Sequence, residues 1–234
     1  MIGFFLACAL GEMEPEMVFA LVPALHEEIT SCLPTLAGLP PEFRDDERSK
    51  SSELIVVYKR QKLLGLYRDG RLVEGMCWDI ALGSKPYEAK IRMDNASTPE
   101  GWYHVAYKRT ADPLDAYPNT TFYKALHISY PNATDVYYAK RAGVVSDRQA
   151  EDLLRSIQIG QLPSQSSPMG GAILIHGWED GLSDTLGCVG LRERDIDILF
   201  DAIPQSDTTI LILPWHRIIR QDATYGVDTI PPVG

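Results

Sequence analysis

The residues best suited to chemistry lie between Ile173 and Leu191, where the chain reads ILIHGWEDGLSDTLGCVGL. An apolar run ends in His176, a polar loop with glycines follows, and Cys188 stands alone between small residues. A thiol with an ordinary pKa of about 8.5 is only slightly ionised at neutral pH. A nucleophilic cysteine therefore needs a base, a positive field, or both. His176 supplies the base if the loop folds back onto the sulfur. A helix beginning a few residues past Cys188 would add the field of its N-terminal end. Gly187 permits a tight turn that exposes amide donors toward an oxyanion. These parts suit acyl transfer. The plainer alternative is packing, with Cys188 as a small buried residue and His176 as a hydrogen-bonded strand end. One histidine and one cysteine fall short of the three or four ligands that zinc requires, and no other cofactor is implied.

The elements that must position this pair read as strands. LIVVY is a β-branched run, and KLLGLYRDGRLVEGMCWDIALG holds two strands around Asp69-Gly70, a hairpin signal because both turn residues take positive φ. WYHVAY, ALHISY, ILIH and TTILIL continue the series. Two helices interrupt it. One opens at Ser146, with Gln149 completing a capping-box pattern, and carries Ala150, Leu153, Leu154 and Ile157 on one face. The other follows the cysteine, with Ile196, Leu199, Phe200 and Ile203 in the same spacing and Pro204 as its stop. The expected fold is mainly β, a sandwich or barrel-like domain with two short helices.

Composition sets the bounds. A chain of 234 residues with 45% hydrophobic content buries one substantial core, and a net charge of −10 argues against a nucleic-acid binder. Residues 1–52 read as a tail and linker, because LPTLAGLPPEFRDDERSKSSE is rich in proline, then charge, then serine, without a period. The domain is expected over residues 53–216, with a C-terminal tail over 217–234. The opening MIGFFLACALG has an apolar core without a basic region; it reads as part of an export signal, with FLAC as a lipobox and Cys8 as a lipidated membrane anchor, the plainer alternative being a short apolar segment packed on the domain. If Cys188 stays a free thiol and Cys8 carries lipid, Cys32 and Cys77 remain, and a bridge between them is open in an oxidising compartment.

Four segments in order resemble the L,D-transpeptidase catalytic domain, the YkuD-like family. IHG, TLGCVGL and DIDILF resemble its signature, STPEGWYHV its TPxGxY segment, ISYPNATD its SYPN turn, and the stretch from Leu54 to Gly83 its opening hairpin region. The resemblance spans about residues 53–215. It implies a bacterial cell-envelope enzyme, periplasmic or lipid-anchored, acting on peptidoglycan stem peptides. Cys188 would be the nucleophile and His176 the general base and acid. The Gly177 carbonyl would orient the imidazole, and the amides of Gly187 and Cys188 would hold the oxyanion. The acceptor would be an amine on a second stem peptide or a protein, or water in a carboxypeptidase or hydrolase. A non-catalytic peptidoglycan-binding module is the alternative of another kind. The commonest form of the motif has histidine two before and arginine two after the cysteine, where this chain has Leu186 and Gly190; a branch of the family carries such apolar and small residues. Trp102, Tyr103 and Tyr130 are candidates to line a substrate groove, and Arg192 and Arg194 to bind a stem-peptide carboxylate. His104 and His127 read as structural or surface residues.

Overall fold

The computed structural model describes residues 29–110, 122, 124–178, 184–204 and 206–216. The apolar start with Cys8 and the tail from residue 217 lie outside these. Eight strands form one sheet: β1 (Glu53–Tyr58), β2 (Leu63–Arg68), β3 (Arg71–Asp79), β4 (Gly101–Thr110), β5 (Lys124–Ile128), β6 (Leu174–Trp178), β7 (Val189–Arg192) and β8 (Thr209–Leu213). Their order across the sheet is β3-β2-β1-β8-β4-β5-β6-β7. Neighbours run antiparallel except β1 with β8 and β6 with β7. The sheet curls until its ends approach: just beyond β3, Ala81 exchanges two 2.9 Å backbone hydrogen bonds with Gly190 of β7. This seam nearly closes a barrel and sets the chain after β3 beside the cysteine.

Local chemistry accounts for the elements. Asp69 and Gly70 both have positive φ (47° and 75°), as a tight two-residue hairpin turn requires. The helices are α1 (Pro41–Arg44), α2 (Ala133–Arg141), α3 (Asp147–Gln158) and α4 (Glu193–Ala202). The expected Ser146–Gln149 capping box opens α3, and α4 runs where its spacing predicts. The two-helix expectation omits α2, which opens on a reciprocal Asn132–Asp135 cap directly after the Tyr130-Pro131 turn. Within α2 only Asp135, Val136 and Ala139 are buried, too few apolar residues to write a period. Inside the curl, Ile55, Val57, Ile210 and Ile212 from the strands meet Val136, Leu153, Ile196 and Leu199 from the helices.

Residues 29–50, expected as tail or linker, belong instead to the packed structure. Five consecutive residues of β1 are buried. Side chains alternate across a strand, so this strand needs cover on both faces. Ile29, Leu33, Leu36 and Leu39 provide the second cover, over Leu54, Val56, Tyr58 and Leu211. A Cys32–Cys77 disulfide ties the segment to β3. Leu72 N–H donates to the Pro34 carbonyl at 3.0 Å, and the buried Tyr67 hydroxyl donates to the Leu33 carbonyl at 2.7 Å.

Candidate active site

The site grows from two adjacent parallel strands. Ile175 pairs with Val189 and His176 with Gly190. One step earlier in that register, Cys188 lies level with Leu174, two residues before His176. Strand geometry puts two such positions on one face, with Cα atoms about 8 Å apart.

His176 is 1% exposed. Its Nδ1 lies 3.0 Å from the Gly177 carbonyl. A carbonyl only accepts, so Nδ1 carries the proton and Nε2 is the basic nitrogen. The Phe122 ring stacks on the imidazole at 3.7 Å between centroids. Burial pushes the imidazole pKa below its ordinary value, against a smaller upward pull from the Gly177 carbonyl. The ring is therefore neutral at pH 7 and able to accept a proton. Glycine at 177 has a packing reason: an added Cβ would stand 2.8 Å from Ile196 Cγ2 of α4.

The loop before β7 is wired to the seam. Thr185 N–H donates to the Leu82 carbonyl at 2.8 Å, and its hydroxyl donates to the Cys188 carbonyl at 2.7 Å. Gly187 has φ of 130°, and a Cβ there would meet the Ser97 carbonyl at 2.8 Å; only glycine fits. Its N–H donates to Thr185 Oγ1 at 3.1 Å. Without substrate, the Gly187 amide expected to hold an oxyanion donates within its own loop. Cys188 is half-buried, and its Sγ donates a weak 3.7 Å contact to the Ala172 carbonyl. Burial pushes the thiol pKa up, while a backbone hydrogen bond from Leu174 and the charge of Lys90 pull it down. The resting sulfur is a thiol.

Cys188 opens on a cavity of about 360 Å³, lined also by Lys90, Gln165, Ala172 and Leu186. Gln165 braces one wall, accepting from Ala172 N–H at 2.7 Å and donating to the Tyr130 carbonyl at 3.0 Å. Leu186 is 87% exposed at the rim. Gly190, in the place of the arginine, packs so that a Cβ would lie 3.2 Å from Ala81 Cβ. A large side chain there would press on the seam.

Several expected residues lie elsewhere. Trp102 covers the sheet with the N-terminal segment and lines a separate groove under the Arg48 guanidinium, 4.9 Å from its ring. Tyr103 is buried, its hydroxyl donating to Asp135 at 2.8 Å. Tyr130 is fully buried, its hydroxyl 3.3 Å from the Lys90 and Met169 carbonyls. Arg192 ends β7, four residues or about 13 Å along the strand from Cys188, near Asp79 at 3.8 Å; Arg194 pairs with Asp195 at 3.4 Å. Helix α4 begins only after the extended β7, about 16 Å beyond the cysteine, with Glu193 and Asp195 in its first turn. Its N-terminus therefore does not supply the thiolate field. His127 is buried, stacked on Tyr107 at 4.7 Å between centroids. Thr185, Lys90 and Gln165 escaped the sequence reading; Thr185 alone had a local signal, as a hydroxyl inside the cysteine motif.

A family model, the L,D-transpeptidase catalytic domain (YkuD), matches residues 52–212. The chain belongs to this family. Among solved structures, a variant of the helical cell shape determining protein Pgp2 from Campylobacter jejuni aligns at 19% identity and a TM-score of 0.48, over 71% of this chain and 48% of its own. Bd1075 from Bdellovibrio bacteriovorus aligns at 20% and 0.45, over 79% and 54%. An L,D-transpeptidase from Xylanimonas cellulosilytica aligns at 18% and 0.42, over 70% and 62%. The matched region is thus about half to three fifths of those proteins. No curated protein matches the sequence. Within this L,D-transpeptidase-family domain, the described residues contain no helix long and apolar enough to cross a membrane.

Proposed function

We propose that the protein is a thiol-dependent acyltransferase of peptidoglycan, forming an acyl-enzyme on the third residue of a stem peptide with release of D-alanine. The observation that carries this reading is a neutral, buried imidazole, held by the Gly177 carbonyl at 3.0 Å, on the strand paired with the one that directly follows Cys188. His176 Nε2 takes the thiol proton as Cys188 Sγ attacks the carbonyl carbon. The oxyanion forms beside the Cys188 amide. The imidazolium then returns its proton to the departing D-alanine nitrogen as the C–N bond breaks, leaving a thioester. An amine of a second stem peptide or of a protein attacks the thioester and restores the thiol; water in its place gives a carboxypeptidase or hydrolase. Placement in the bacterial envelope fits this substrate. The Cys32–Cys77 disulfide supports an oxidising compartment, and Cys8 is the candidate lipid anchor.

The test is incubation of the full chain with defined muropeptides, products read by mass spectrometry. The expected result is loss of D-alanine, with a cross-linked product when an acceptor amine is present and a tripeptide when only water is available. Cys188→Ala should abolish the acyl-enzyme and both products. If that variant turns over at the wild-type rate, Cys188 is a packing residue and the reading fails; binding of stem peptides without turnover would mark a non-catalytic module.

A further inference from the structure

Two lysines are nearly closed to solvent, and they are treated differently. Lys59 donates to the Thr98 carbonyl at 2.8 Å and to Glu100 Oε1 at 2.7 Å, a buried cation with its counter-charge. Lys90 is 5% exposed. Its amine donates one long bond, 3.3 Å, to the Arg92 carbonyl and lies 5.5 Å over the Tyr130 ring. Among the described residues no carboxylate comes within ion-pair distance of it. An ammonium offers three donors, and a buried charge without an opposite partner is costly. Burial lowers its pKa, and the opposing attraction comes first from Cys188 and then, more weakly, from Asp94 and Asp135.

Lys90 and Cys188 line one cavity; the sulfur's hydrogen-bond contact is to the Ala172 carbonyl and the amine's to that of Arg92. A cation and a nucleophile lining one cavity suit a substrate that carries an anionic group beside its reactive carbonyl. We infer that Lys90 is the specificity-determining cation of the site, receiving a carboxylate of the acyl donor beside the carbonyl that Cys188 attacks. This rests on the proposed function for the identity of the donor. In that reading the bound group is the terminal carboxylate of the departing D-alanine, so donors must end there. It takes over the carboxylate-binding role that Arg192 is too distant to fill.

One test needs no peptidoglycan chemistry. Alkylation of Cys188 in the full chain is timed with iodoacetate and with iodoacetamide, the adduct located by peptide mass spectrometry. Both reagents consume the same thiolate, so the ratio of their rates reports attraction of a carboxylate alone. Lys90→Met should lower that ratio at least tenfold, and Lys90→Arg should keep it within threefold of wild type; an unchanged ratio in Lys90→Met overturns the inference. If Lys90→Met does not fold, the wild-type protein decides: D-alanine should protect Cys188 from iodoacetamide and D-alaninamide should not, and equal protection overturns it. With stem tetrapeptides, Lys90→Met should lose at least 100-fold more in kcat/KM on the free acid than on the donor amidated at the bound carboxylate, the loss common to both reflecting the pull of Lys90 on the thiol. Donors amidated at the terminus or at the third-residue side chain tell which carboxylate that is; equal losses on all of them count against a carboxylate anchor. If the wild type turns over no peptide, the peptidoglycan reading fails while the alkylation ratio still decides on Lys90.

Discussion

At the scale of residues, the His176–Cys188 pair depends on side chains and carbonyls that lie far away in the chain. His176 and Cys188 stand out because few residue types do nucleophilic acyl chemistry and both flank one loop. What holds them came from distant sequence: Thr185 gains its meaning only through Leu82, and Lys90 only because β3 and its extension bring residues 80–98 against β7. Removing the base should be informative. His176→Ala is expected to keep the fold yet slow acylation by about 10²–10⁴-fold, measured as the single-turnover rate of thioester formation. Because burial holds the imidazole pKa below its ordinary 6.5, the acid limb of kcat/KM should have its midpoint below that value and vanish in His176→Ala. A midpoint at or above 6.5 would show that another group titrates. Gly187→Ala meets both an unfavourable φ and the Ser97 carbonyl, so it should cut activity more than Leu186→Ala, whose side chain is exposed. Comparable losses would show that the loop conformation does not matter to the thiol.

At the scale of elements, local signals worked where one short stretch decides the outcome. Asp69-Gly70 made its turn, and Ser146 with Gln149 started its helix. Strand β7 carries no local signal, because VGLR is too short to show alternation and is strand only by pairing with β6 and Ala81. The N-terminal segment departs from its expected role for a related reason. Its prolines and charges describe a linker, while Leu33, Leu36 and Leu39 act only through the sheet they cover. The signal lay in the partner: LIVVY does not alternate, so β1 asks for cover on both faces. Truncation to Ser49 should therefore fail to give soluble folded protein, since burial of each large apolar side chain contributes about 1.5–3 kcal/mol against a typical total stability of about 5–15 kcal/mol. A soluble, active truncated protein would demote the segment to an accessory. Replacing Cys32 and Cys77 with serine removes a cross-link of sequence separation 45, which chain entropy values at about 4 kcal/mol. Denaturant melts should show a loss of that order, with alkylation of Cys188 retained under native conditions.

At the scale of the whole molecule, two buried groups tilt stability in opposite directions with pH. His127 is driven down to about 4 by burial. Between pH 4 and 6.5 the unfolded chain takes a proton that the native state refuses, so this contribution is complete above 6.5 and is lost as pH falls through 4. Asp135, which caps α2, is raised to about 7 by burial. Its native carboxyl keeps a proton that the unfolded chain releases above 3.8, so its contribution is complete below that value and lost as pH rises through 7. Asp135→Asn should accordingly melt higher relative to wild type at pH 8 than at pH 5; a constant difference in Tm would remove Asp135 as the source. The seam between Ala81 and Gly190 has a consequence of another kind. Residues far apart along the chain meet there, and the wall of the cavity, the Thr185 latch and the strand that follows Cys188 all depend on that meeting. A copy that has not joined its two edges has a cysteine but no workshop around it. The reaction centre exists only where the two edges have met, and turnover certifies a finished molecule.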